Sequence, residues 1–241
     1  KDKLSVELDS PIEYVFKAEN GVYVIKTEKG LTCANSVIYD AEDAECVFMS
    51  NSNIALISDT QVRVVKATKR GFENVATYGV FGATLDEKYK AANWNAYGFT
   101  LGNVSASGVV FKVSTGKKGF VNSDGRLALP PVYDDIKLTE SYAIVKNNGV
   151  YAVADFHGKF VTDFEYVNIK GIGAFAVCLR NNGSAEMINA RGNNVAKDVI
   201  FGNELEVNNY VTINGKYVID TEVDYAFVNV NGKYRLIRIC Y

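Results

Sequence analysis

Histidine is the scarcest of the chemically versatile residues in this chain of 241, with one copy, and three prolines, two methionines and one tryptophan are hardly commoner. With His157 alone there is no second imidazole for a zinc site and only one side chain able to act as a histidine base. It precedes Gly158 in a turn pattern, so an exposed turn histidine is expected. No serine stands in a GxSxG frame, which removes the usual hydrolase elbow. Cys33, Cys46, Cys178 and Cys240 show no CxxC spacing, so no metal site and no cofactor is expected. Single cysteines within apolar runs read as buried thiols rather than disulfide partners. No run approaches the roughly 18 apolar residues of a membrane span. The chain begins at Lys1 rather than Met, and the expectation drawn from this is a removed export signal and an extracytoplasmic location.

Charge of one sign is also missing. Lys and Arg total 26 against 28 Asp and Glu, a net charge of −2, and no basic stripe runs along the chain. This excludes a nucleic-acid partner. Lys66, Lys69 and Arg70, then Lys117 and Lys118, read as solvated turn lysines and arginines, and Asp134-Asp135, Asp40 with Glu42 and Asp43, and Asp86-Glu87 as solvated loop acids without the spacing of a calcium loop.

What is present is β-forming and repetitive. There are 15 Tyr, 13 Phe and 20 Gly, a composition that suits pleated strands joined by tight turns. Tyr142 to Asp155 reads YAIVKNNGVYAVAD and Tyr14 to Thr27 reads YVFKAENGVYVIKT, one unit written twice. With the turn residue after the first strand as marker, the phase runs Gly21, Asn53, Gly116, Gly149, Gly183, Gly215, at intervals of 32, 63, 33, 34 and 32. The interval of 63 places a degenerate copy between Asn53 and Gly116. A second turn recurs at Gly30, Gly125, Gly158 and Gly192, and Lys159 to Phe164 is expected as the third strand of its unit. The fold class is all-β, a single domain of tandem three-stranded meanders of about 32–34 residues, with units near 11–45, 46–77, 78–107, 108–140, 141–173, 174–207 and 208–241. Strands such as Val22-Tyr23-Val24-Ile25 are apolar on both faces, so units must stack face to face. A propeller-like ring is preferred over an open β-solenoid because Leu4, Val6 and Leu8 form an unmatched strand and the C-terminus carries a surplus hairpin that could pair with it.

The best-preserved stretch, Gly116 to Asp135, reads GKKGFVNSDGRLALPPVYDD and resembles the bacterial WG-repeat family, whose unit carries Gly-Lys-Trp-Gly-Tyr/Phe-Ile-Asp, a polar turn ending in Gly, an apolar strand, Pro-Pro and Tyr-Asp-Asp. The family's Trp is replaced here by Lys118, Tyr151, Tyr23, Tyr217 and Tyr234, and its following Gly survives only as Gly119. The resemblance implies a β-repeat scaffold without a defined activity, often found at bacterial surfaces.

One stretch departs from the repeat while gaining aromatics and amides, AANWNAYGF at Ala91 to Phe99. Trp94 and Tyr97, with Asn93 and Asn95 as polar partners, are the candidate ligand-binding residues, because flat rings beside amides suit a sugar or a protein surface. The competing reading is a Trp94 that fills the core. The functional expectation is a non-catalytic, monomeric binding or scaffolding module for a protein or glycan, with no catalytic residue and no metal. The alternative is a glycan-active enzyme using carboxylates from different units.

Overall fold

The computed structural model describes residues 11–33, 38–41, 43–86, 95–96, 99–100, 103–105, 107–197, 199, 210–213, 216–219, 224–230 and 233–239. Apart from one 3-10 turn at Ser50–Ser52, every regular element among them is a β-strand. The chain is all-β. It divides into two compact units, residues 1–136 and 137–241.

In the first unit, β1 (Ile12–Lys17), β2 (Tyr23–Thr27), β3 (Gly30–Cys33) and β4 (Ile38–Tyr39) form one meander. Strands β5 (Glu45–Met49), β6 (Asn53–Ser58), β7 (Gln61–Thr68) and β8 (Gly71–Gly79) form the next. The faded segment supplies β9 (Thr84–Leu85), β10 (Asn95–Ala96), β11 (Phe99–Thr100) and β12 (Asn103–Ser105). These join sheets built by other strands: β11 runs parallel to β1 with β10 outside it, and β12 runs parallel to β5. The third sheet runs β15 (Leu127–Tyr133), β14 (Lys118–Asn122), β13 (Gly108–Lys112), β9.

Burial on both faces is found in the middle sheet, whereas the expectation drawn from Val22 to Ile25 is corrected, because Tyr23 of β2 is 55% exposed. Cys46 and Phe48 of β5, Ile54 and Leu56 of β6, and Val65 and Ala67 of β7 share a core with Val24, Leu31 and Cys33 of the first sheet. The alternate residues Val47, Met49, Ala55, Ile57, Val62 and Val64 share another with Val109, Phe111 and Val121 of the third. A strand of period two has two faces, and here a sheet covers each.

The second unit holds a seven-stranded sheet in the order β16 (Asp135–Leu138), in which the division between the units falls, β17 (Ala143–Asn147), β18 (Val150–Ala154), β19 (Tyr166–Ile172), β20 (Phe175–Arg180), β21 (Ala185–Asn189) and β22 (Asn194–Lys197). Hairpins β23 (Tyr210–Ile213) with β24 (Lys216–Ile219) and β25 (Asp224–Val230) with β26 (Lys233–Ile239) follow. Strands β18 and β19 share one register pair, Tyr151 with Tyr166. Tyr142 and Ile144 nevertheless share a core with Ile169, Ala176, Cys178 and Ile188, so the sheet turns its two halves onto each other at that joint. The expected third strand over Lys159 to Phe164 is corrected: one bridge, Ala154 to Phe160, stands there instead. The Val153 N–H donates to the Thr162 hydroxyl at 2.9 Å, and a side chain thereby takes the place of a ladder carbonyl.

The turns carry the period. Gly21, Gly116, Gly149 and Gly183 have φ of 82 to 84°, a left-handed conformation that glycine adopts without a Cβ clash. The marker taken at Asn53 is corrected, because the left-handed residues there are Asn51 and Ser52, both at φ 62°, and Asn53 opens β6. The second turn has a device that the sequence reading missed. Asn122 Oδ1 accepts from the N–H groups of Asp124 and Arg126, Asp155 Oδ1 from His157 and Lys159, and Asn189 Oδ1 from Arg191 and Asn193. Each is an Asx turn closed by a glycine three residues on.

Gly119 shows why one motif glycine survives. A Cβ there would lie 2.6 Å from Phe111 Cζ, the wholly buried residue directly opposite on β13. The equivalent pairs are Val145 with Ala152 and Phe16 with Val24, where a side chain is accommodated. Gly119→Ala is expected to cost about 1–3 kcal/mol by forcing Phe111 out of place, measured by urea unfolding.

Candidate functional site

The position that the motif reserves for Trp is occupied by a charge, and the fold answers it with carboxylates. Lys118 opens β14 opposite Lys112 of β13 and Tyr133 of β15. Its ammonium is paired with Asp86, just past β9, and with Asp135 of β16 at 2.6 Å. The side chains of Lys118 and Asp86 are only 12% and 8% exposed, whereas Asp135 is 34% exposed. Lys117 pairs separately with Asp134 at 2.6 Å. Burial opposes the charge on Lys118, but the hydrogen bonds to Asp135 and Asp86 together outweigh it and hold its pKa above the ordinary lysine value. The solvated reading of Lys118 and Asp86 is corrected accordingly. Pairing of β9 with β13 brings a carboxylate 32 positions upstream to the ammonium, a long-range placement that local composition does not encode.

At other copies of that position the aromatic is kept and a lysine faces it. Lys17, directly across from Tyr23, lies 5.7 Å from the ring centroid, and Lys146, directly across from Tyr151, lies 5.2 Å away. These are cation–π pairs. The signal is in the sequence, where Val15-Phe16-Lys17 recurs as Val110-Phe111-Lys112. With lysine at 118 the cross-strand partners are two cations, and Asp86 and Asp135 supply the countercharge that an aromatic face gives elsewhere.

The second unit has its own charged knot. Arg180 pairs with Glu165 and with Glu186, each at 2.5 Å, and lies 4.9 Å from the Tyr166 ring centroid. Tyr166 donates its hydroxyl to Glu186 at 2.8 Å, and Asn194 donates its amide to the other Glu186 oxygen. Partial burial works against the Glu186 carboxylate, but these donors prevail and its pKa is lowered. A lowered carboxylate contributes stability above its unfolded pKa, about 4.3, and loses it as pH falls through the folded value. The unfolding free energy should therefore drop in acid below about pH 4.3, and Glu186→Gln should flatten that arm of the curve.

Trp94, Tyr97 and Asn93 lie outside the described residues, and the Asn95 backbone forms β10. His157 is exposed in its turn. Cys33, Cys46 and Cys178 are buried free thiols, and Cys240 lies outside the described residues. Burial pushes the Cys33 thiol up to about 11 and Cys178 up to about 12, so both stay protonated at neutral pH. Among the described residues no group of three His, Cys, Asp or Glu could hold a metal ion. No helix among them is long and apolar enough to cross a membrane, which says nothing of a β-barrel.

Residues 119–151 match the family model of the WG containing repeat, one period from Gly119 to Tyr151. No curated protein matches the chain. Among solved structures, Hsv2 of Kluyveromyces lactis is similar at 11% identity and a TM-score of 0.37 over 78% of this chain and 63% of that one. BamB from Moraxella catarrhalis is similar at 10% identity and a TM-score of 0.35 over 80% and 65%. The chain thus spans less than two thirds of either structure. The AfRom2 CNH domain is similar at 8% identity and a TM-score of 0.33 over 94% and 79%. These neighbours are β-propellers.

Proposed function

We propose that this chain, which carries a WG-containing β-repeat, is a non-catalytic binding or scaffolding module that recognises a protein or a glycan through the surface of its repeats. The observation that supports this reading is how the charged groups are used. Lys118 is held between Asp86 and Asp135, and Arg180 between Glu165 and Glu186. Each carboxylate pair is tied to a cation that joins separate strands, a use that secures a scaffold. General acid–base work on a glycoside would instead need two carboxyls facing a substrate.

The recognition residues in this proposal are Trp94 and Tyr97 with Asn93 and Asn95. The test is Trp94→Ala on glycan and protein arrays. Loss of an array hit with an unchanged melting temperature supports the assignment. A destabilisation of about 3–5 kcal/mol assigns Trp94 to the core instead. Hydrolysis of a glycoside panel that disappears in Glu186→Gln would overturn the non-catalytic reading.

A further inference from the structure

Phe81 is the most exposed large apolar side chain among the described residues, at 73%. Its backbone is nevertheless fixed. The Val80 N–H donates to the Thr60 carbonyl at 3.0 Å, the Gly82 N–H to the Asp59 carbonyl at 2.7 Å, and the Ser114 N–H to the Phe81 carbonyl at 3.1 Å. Gly82 sits at φ +65°, where a Cβ would come within 2.6 Å of Ser114 Cβ. Val80 and Ala83, on either side, pack into the core. The ring is thus held outward by its loop, and a rigid aromatic loses little freedom when a partner covers it.

Asp59 and Thr60, which anchor that loop, also line a groove of about 300 Å³ together with Asp40, Asp43, Gln61 and Arg63. Asp40, Asp43 and Asp59 are exposed, and among the described residues none of them forms an ion pair. Arg63 is engaged elsewhere: its guanidinium donates to the Asp40 backbone carbonyl at 2.9 Å and stacks 5.0 Å from the Tyr39 ring centroid. Three carboxylates against one guanidinium leave the groove negative beside an apolar knob.

We infer that Phe81 and this groove form one docking surface for a basic segment of a partner protein, in which an apolar residue covers the ring and a neighbouring lysine or arginine enters the groove. The inference rests on the binding-module reading and gives it a surface and a partner chemistry. Charge complementarity selects the occupant, because an acidic or neutral segment would leave the carboxylates uncompensated.

The test is selection of a phage-displayed random peptide library on the full chain, followed by titration of the selected peptides against Phe81→Ser and against the double variant Asp43→Asn, Asp59→Asn. Both variants alter exposed side chains and should keep the parent melting temperature. The expected result is enrichment of peptides with lysine or arginine beside an apolar residue. Phe81→Ser should weaken their binding at least about tenfold, and the aspartate variant should reduce its salt dependence. Selected peptides that lack basic residues, or that bind both variants as tightly as the parent, would overturn the docking surface and leave the binding-module reading standing. Failure to retain any peptide, together with blank glycan and protein arrays, would overturn both.

Discussion

Lys118→Met is expected to destabilise the chain by about 3–5 kcal/mol in urea unfolding at neutral pH, the range for removing one partner of a buried ion pair. The cause is Asp86, whose side chain is 8% exposed and would lose the ammonium that offsets its burial. Asp135, at 34% exposed, can turn to water and adds less. Restoring the motif residue with Lys118→Trp should not rescue stability on its own, because Asp86 remains. Lys118→Arg should retain most of the stability, since the cation survives. The pH dependence has a definite sign: with the folded pKa raised, the contribution is complete below the unfolded lysine value of about 10.4 and is lost as pH rises through the folded value.

Tyr142→Ala is expected to cost about 3–5 kcal/mol, the range for truncating a large core aromatic. Tyr142 is wholly buried at the edge of β17 and donates its hydroxyl to the Phe175 carbonyl on β20. It also lies against Gly171 of β19, where an added Cβ would come within 3.1 Å of its oxygen. One side chain therefore joins the two halves of the seven-stranded sheet across the bend at Tyr151 and Tyr166. Tyr142→Phe keeps the ring and removes the hydroxyl, so it should cost about 1–3 kcal/mol. Comparing the two variants separates packing from the hydrogen bond.

The period was legible in the sequence because it is written in residues with local constraints. Gly21, Gly116, Gly149 and Gly183 mark turns that need a left-handed residue, and the strands apolar on both faces required a sheet on each side, as β5 to β7 have. The buried thiols of Cys33, Cys46 and Cys178 were readable from their apolar surroundings. Features that depend on partners distant in sequence were not readable. Lys118 looked like a turn lysine because Asp86 reaches it only through the pairing of β9 with β13. The strand expected over Lys159 to Phe164 reads as β-forming, yet the Thr162 hydroxyl takes a ladder bond there and the Phe160 and Phe164 rings pack on each other with centroids 5.0 Å apart. The Asx turns at Asn122, Asp155 and Asn189 were visible in principle, since each residue stands three before a repeat glycine.

At residue 118 a buried ion pair stands in place of the aromatic as the tie between strands. A double-mutant cycle with Lys118→Met, Asp86→Leu and the combined variant measures that tie directly, by urea unfolding at neutral pH. A coupling of about 2–3 kcal/mol, with the double variant regaining much of what either single change loses, is the predicted result. Single-variant losses that add to within about 0.5 kcal/mol would contradict it.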